Sequence, residues 1–223
     1  MKPILIGRDK ELGYLSASLS ATGHLRAGLV KGARGMGKSA LLEAIEQKLL
    51  QQEKNHLFLS PKINDFSDPL TFCTSLVRSA RSGQGINPTA LNDFARSSGS
   101  RVMGLARASI EGKDDASNGT KLAEAWVKLL EKSLDDHDIP QSSITPILIL
   151  DDLDQYTNKI IDWLSESFNQ AIRKSALFTR ARFLFSSKEH DSKLQGVFDR
   201  FGFEQVQHFS LPELSPNHCE KLA

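Results

Sequence analysis

The sequence predicts an α/β fold, a three-layer α/β/α sandwich built on a five-stranded parallel sheet. Helical and extended segments alternate along the 223 residues, the order that wraps helices around parallel strands. One extended segment, Pro146 to Leu150, is a continuous aliphatic run, as a strand covered on both faces must be. Between the first strand and the helix after it stands a glycine-rich turn, Gly32 to Gly37, followed by Lys38 and Ser39.

In chain order, Asp9 to Leu19 is expected to be a helix, with Leu12, Leu15 and Leu19 on one face. Leu25 to Lys31 reads as the first strand. Ser39 to Leu50 stripes Leu41, Leu42, Ile45 and Leu49 against Glu43, Glu46, Gln47 and Lys48, an amphipathic helix. His56 to Ser60 is the second strand. A helix then starts at Asp68-Pro69, with the Asp as N-cap and the Pro at the first helical position. Residues 83–119, rich in glycine and serine, read as an insertion with short helical fragments at Leu91 to Ala95 and Val102 to Ile110. Thr120 to Leu134 returns to helix, Pro146 to Leu150 is the third strand, and Asn158 to Lys174 is helical. Phe183 to Ser187 and Gln205 to Leu211 complete the sheet, with a short helix from Ser192 to Phe198 between them. Residues 1–211 thus form one α/β core, and 212–223 are expected to begin a helical lid that the chain cuts short.

Composition narrows the function classes. Hydrophobic residues make up 39% and charged residues 25%, an ordinary globular balance. With 28 Lys and Arg against 27 Asp and Glu, the net charge of +1 creates no whole-chain attraction to nucleic acid or to an anionic membrane. Cys73 and Cys219 have no metal-ligand spacing around them and no disulfide framework to join, so a reducing cytoplasm is expected. No apolar run is long enough to span a bilayer, and no membrane partner is expected.

Gly32-Ala33-Arg34-Gly35-Met36-Gly37-Lys38-Ser39 satisfies G-x-x-x-x-G-K-[ST] in the strand-to-helix context that the pattern needs. Chance alone yields the pattern in roughly one chain in a hundred of this length. Gly32 and Gly37 are expected to take positive φ, letting successive N–H groups close on phosphate oxygens. Ser39 and Ala40 open a helix whose positive end faces the same anion. Lys38 supplies a mobile charge for the outer phosphates, and the Ser39 hydroxyl is a Mg²⁺ ligand. ATP and Mg²⁺ are the cofactors that this constellation implies.

Four aliphatics, Ile147 to Leu150, end in Asp151 and Asp152. Strand ends of open parallel sheets face the ligand crevice, so Asp151 is expected in the Mg²⁺ shell beside Ser39. Asp152 is the candidate to orient or deprotonate an attacking water. Two adjacent carboxylates repel unless a cation lies between them, and a metal resolves that conflict.

With these residues in place the chain resembles the additional-strand P-loop NTPases of the AAA+ and STAND groups over essentially its whole length. Gly7-Arg8-Asp9-Lys10-Glu11-Leu12 is similar to the G-R-[DE]-x-E-L motif of STAND and origin-initiator-type ATPases, which places Gly7 and Arg8 near the adenine. Phe183 to Lys188 resembles the sensor strand, placing Ser187 near the γ-phosphate and Lys188 where many relatives carry Arg. Leu211-Pro212-Glu213-Leu214-Ser215 is similar to the junction leading into the lid, and Arg200 stands where AAA+ relatives carry an arginine that reaches a neighbouring subunit. Asp151 to Asp154 also resembles KAP-type NTPases. Many relatives have Glu at the Asp152 position, so the shorter Asp implies slow hydrolysis. The resemblance implies an ATP-dependent regulatory switch that meets a protein partner or its own copies through the nucleotide-facing surface. Its rivals are a DNA-remodelling or initiator ATPase, for which Arg96, Arg101 and Arg107 supply a basic stretch, and a nucleotide-sensing scaffold without hydrolysis.

Overall fold

A computed structural model describes residues 7–20, 22–61, 68–83, 86, 89–96, 115–188 and 193–213. Side chains alternate along each strand, and this alternation splits the interior into two layers. Leu29, Leu57, Leu59, Leu148, Leu150, Phe183 and Phe185 point to one face of the sheet. Val30, Phe58, Ile147, Ile149 and Leu184, their neighbours in sequence, point to the other. A sheet apolar on both faces must be covered on both.

Helices α1 (Asp9–Leu19) and α2 (Lys38–Gln52) cover the second face through Leu15, Leu19, Leu41, Leu42, Ile45 and Leu49. The first face is the thicker layer. It is built by α3 (Pro69–Ser79), a short helix α4 over residues 89–96, α5 (Asp115–Asp135), the pair α6 (Asn158–Trp163) and α7 (Asn169–Arg173), and α8 (Lys193–Phe201). Trp126 of α5, fully buried, sits at its centre between Phe94 and Phe168, with ring centroids 5.8 and 5.5 Å away. Asp68 caps α3 as expected, accepting from the Thr71 N–H at 2.9 Å.

The strands are β1 (Ala27–Lys31), β2 (His56–Leu59), β3 (Arg81–Ser82), β4 (Thr145–Leu150), β5 (Arg182–Ser187) and β6 (Gln207–Ser210). Their order is β3-β2-β4-β5-β1-β6. The five expected strands are present and parallel; a sixth corrects the count. That sixth strand, the two-residue β3, pairs antiparallel with β2 at the sheet edge, Leu57 opposite Ser82. It is too short for a period-2 pattern to announce it. The decisive feature is β5, which lies between β1 and β4. The strand that leads into the glycine-rich turn and the strand that ends in two aspartates are therefore one strand apart, and all three end at the same edge.

Three other departures are local. The helix expected over Asn158 to Lys174 is interrupted by a wider π turn at Leu164–Phe168. Helix α5 begins at Asp115, inside the expected insertion. The fragment at Leu91 to Ala95 is helical, within α4, whereas Val102 to Ile110 and residues 214–223 lie outside the described residues.

Candidate functional site

β1 ends at Lys31, and the chain turns through Gly32 to Gly37 into α2. Gly35 and Gly37 hold φ of 87° and 81°, in the left-handed region that a side chain disfavours, and a Cβ on either would meet nothing within 4 Å. Gly37 matches its expected role. Gly32 does not: its φ is not positive, and a Cβ there would make only ordinary contacts, 3.5 Å from Leu211 Cβ and from Met36 Sδ. Gly35 supplies the second left-handed position instead. Gly37 caps α2 with no side chain, accepting from the Leu41 N–H at 2.9 Å, so the first N–H groups of the helix, those of Lys38, Ser39 and Ala40, have no partner in the preceding turn. Ala33, Arg34, Gly35 and Ser39 are exposed around this positive helix end.

Lys38 is 6% exposed and folds back over the turn. Its Nζ donates to the carbonyls of Gly32 at 3.0 Å and Ala33 at 3.4 Å, and lies 3.6 Å from Asp152 Oδ1. The cation of one strand's loop thus reaches the acid of another. Register explains how the acids come to be held. Leu150 pairs with Phe185, so Asp151 falls beside Ser186. The Ser186 hydroxyl donates to Asp151 Oδ1 and accepts from the Asp152 N–H at 2.8 Å; the same N–H lies 3.0 Å from Asp151 Oδ1. Asp152 itself sits at φ 45°, a left-handed position that Asp tolerates better than most residues. Gln155 donates to its Oδ2 at 3.1 Å, which leaves Oδ1 facing Lys38. A cleft of about 560 Å³ opens beside this point and is lined by Ser39, Arg78, Asp151, Asp152 and Gln155. Beneath it, burial pushes the Tyr156 phenol above its ordinary pKa, and the charges of Asp151 and Asp152 push it further.

The profile of the AAA ATPase domain matches residues 4–183, most of the chain. The chain belongs to that family. No curated protein sequence matches it. Among solved structures it is similar to the Orc1 protein of Aeropyrum pernix in complex with DNA, at 15% identity and a TM-score of 0.54, over 98% of this chain and 48% of that one. It is also similar to Cdc6p from Pyrobaculum aerophilum, at 18% identity and a TM-score of 0.52, over 94% of this chain and 47% of that one. The chain therefore spans about half the length of these structures, and at such identities the likeness is one of fold.

Within this AAA ATPase domain the remaining candidates are placed as follows. Ser187, fully buried, pairs in register with Lys31, and its hydroxyl donates to the Lys188 carbonyl at 3.0 Å, away from the acidic pair. Ser186, which sequence reasoning passed over, is the serine of this strand end that contacts the acidic pair. Lys188 pairs with the buried Asp154 carboxylate, 3.4 Å from its Nζ, and donates its N–H to the same group at 3.2 Å. Gly7 holds φ 70° ahead of α1, and Arg8 turns its guanidinium inward to the main chain of the loop. Arg200 pairs with Asp162 at 2.7 Å in the last turn of α8, which leads to the opposite end of the parallel strands. Of the basic stretch, Arg96 is exposed at the end of α4, whereas Arg101 and Arg107 lie outside the described residues. A larger cleft of about 1060 Å³, lined by Arg26, Arg173, Phe201 and Phe203, also lies at that opposite end, away from the loop. Among the described residues no helix is long and apolar enough to cross a membrane.

Proposed function

We propose that this domain binds Mg-ATP, hydrolyses it slowly, and uses the bound nucleotide as a regulatory switch of the STAND-like, AAA+ kind. One observation carries the reading. Lys38 Nζ and Asp152 Oδ1 stand 3.6 Å apart at the mouth of a left-handed glycine turn, although they come from strands separated by a third. A cation and an acid so placed, over free helix amides, suit a phosphate chain whose outer end lies between them.

The chain's own residues fit that ligand. Lys38 is held by two carbonyls and a 3.6 Å ion pair, weak partners that a phosphate oxygen would displace. Asp151 has one carboxylate oxygen committed to Ser186, and its second oxygen, with the exposed Ser39 hydroxyl, is the pair that would take Mg²⁺. The ion, when bound, would supply positive charge beside the two neighbouring carboxylates and screen the phosphates. Asp152, steadied by Gln155, orients a water through Oδ1. The surface around the turn is the face offered to a protein partner or a second copy.

Thermal unfolding with and without Mg-ATP tests the assignment. At a ligand concentration a hundred times Kd the wild type should gain about 2.7 kcal/mol, and Lys38→Ala should lose that gain. An equal shift in the variant would refute the role of this loop. A second reading, an initiator-type ATPase acting on DNA, draws support from the likeness to an Orc1 protein solved in complex with DNA. Duplex binding by this chain that weakens steeply as salt rises would move the assignment to it.

A further inference from the structure

Arg8 is 2% exposed, and its Nη1 makes only a long ion pair with Glu11, 3.7 Å away, among the described residues. Its Nη2 donates to two main-chain carbonyls, Met36 at 3.2 Å and Pro212 at 2.6 Å. Among the described residues its buried Nε has no partner at all. A guanidinium taken out of water with incomplete pairing is costly, so stability alone is a poor account of it. Position is a better one. Met36 belongs to the phosphate loop, and Pro212 is where the chain leaves β6 and the sheet.

Two further contacts tie the same parts together. The Leu211 N–H donates to the Lys31 carbonyl at 2.8 Å, at the root of the loop. A Cβ built on Gly32 would lie 3.5 Å from Leu211 Cβ, so the loop's first residue packs against the exit from the sheet. Met36 is in turn tied to the start of the loop, its Sδ receiving the Ala33 N–H at 3.1 Å. Lys38 now holds the Gly32 and Ala33 carbonyls, and a phosphate that drew it away would remove those two bonds from the first half of the loop. The Met36 half stays bound to Arg8, and through Arg8 to Pro212.

We propose that Arg8 is a positioning residue, a latch that makes the phosphate loop and the segment after Leu211 move together, so that nucleotide at the loop sets where the departing chain lies. The proposal rests on the nucleotide reading above. Coupling of this kind is reciprocal, so breaking the latch should alter nucleotide affinity as well as the response of the segment.

Hydrogen exchange of the 223-residue chain with and without Mg-ATP, read at Phe209 to Glu213 and above all at the Leu211 amide, tests this, with affinity measured on the same samples. In the wild type, ATP should slow exchange there by about five-fold or more. Arg8→Ala should still bind ATP, about five-fold more weakly or beyond, but lose the slowing. Arg8→Lys keeps the charge without the fork that reaches both carbonyls, and should lose most of it, which also serves if the alanine variant does not fold. Full slowing in either variant overturns the latch. ATP binding by the wild type with no change at Leu211 overturns the latch alone, and absence of ATP binding overturns both the latch and the nucleotide reading.

Discussion

Two serines end β5, and the pairing of Leu150 with Phe185 sets Asp151 beside the first of them. Ser186 then serves both acids, donating to Asp151 and accepting from the Asp152 N–H, while Ser187 faces the Lys188 carbonyl. Residues that orient a metal-binding carboxylate commonly matter by 10- to 100-fold. Ser186→Ala should therefore weaken Mg²⁺-dependent nucleotide binding by roughly ten-fold, whereas Ser187→Ala should leave it near the wild-type value. A Mg²⁺ titration of nucleotide affinity in the two variants separates them, and equal losses would remove the special place given to Ser186. This distinction was not legible in the sequence, because it depends on register between strands far apart in the chain. Lys38, Ser39 and the aspartates were legible because their arrangement is local: a glycine turn before a helix, and carboxylates at the end of an aliphatic run. Gly32 lies between these cases. The spacing marks it as part of the motif, but it lies against Leu211 and Met36 without positive φ, and the left-handed backbone falls to Gly35.

The helices and the five parallel strands were readable from period and caps, as Asp68 before Pro69 illustrates. What escaped is where one helix meets another. Gly119 looked like part of a loose, glycine-rich insertion, yet it lies within α5 at a close contact with α6. A Cβ there would sit 2.9 Å from Trp163 Cδ1. The indole cannot easily retreat, since it is buried and its Nε1 donates to the Gly119 carbonyl at 2.9 Å. Alanine at this position gains about 1 kcal/mol of helix propensity but meets an overpacking cost of about 1–3 kcal/mol and strains a hydrogen bond of about 1 kcal/mol. Gly119→Ala is expected to destabilise the domain by about 1 kcal/mol or more, read as a lower urea midpoint at unchanged m. An equal or higher midpoint would show that the two helices have room to separate. The neighbouring π turn at Leu164–Phe168 belongs to the same contact: its Ser167 hydroxyl lies 3.1 Å from that of Thr120. Neither feature has a one-dimensional signal.

On the scale of the whole molecule the two edges of the sheet have different tasks. The edge at the C-terminal ends of the parallel strands carries the loop, and at the opposite edge side chains from the strand starts cap α1. Arg182, from the start of β5, donates to the carbonyls of Ser18 at 2.8 Å and Gly23 at 2.9 Å. His56, from the start of β2, meets the Leu19 carbonyl at 3.2 Å, and since a carbonyl only accepts, Nε2 carries the proton. Burial is the main reason that the His56 pKa lies below its usual 6.5; Arg182 and Arg180 push it further down, and the Leu19 carbonyl and Glu53 push back. The unfolded chain takes up a proton on this ring near pH 6.5, while the folded chain resists it until lower pH. Unfolding therefore binds a proton in that window, and stability falls as pH drops below about 6.5, by up to about 1.4 kcal/mol per unit, until the folded group itself titrates. His56→Gln removes the titration, so its stability curve should be flatter than the wild type's between about pH 6.5 and the lower pH at which folded His56 protonates. Urea unfolding across that range decides it. Parallel curves would mean that the structure around His56 yields locally to admit the charge.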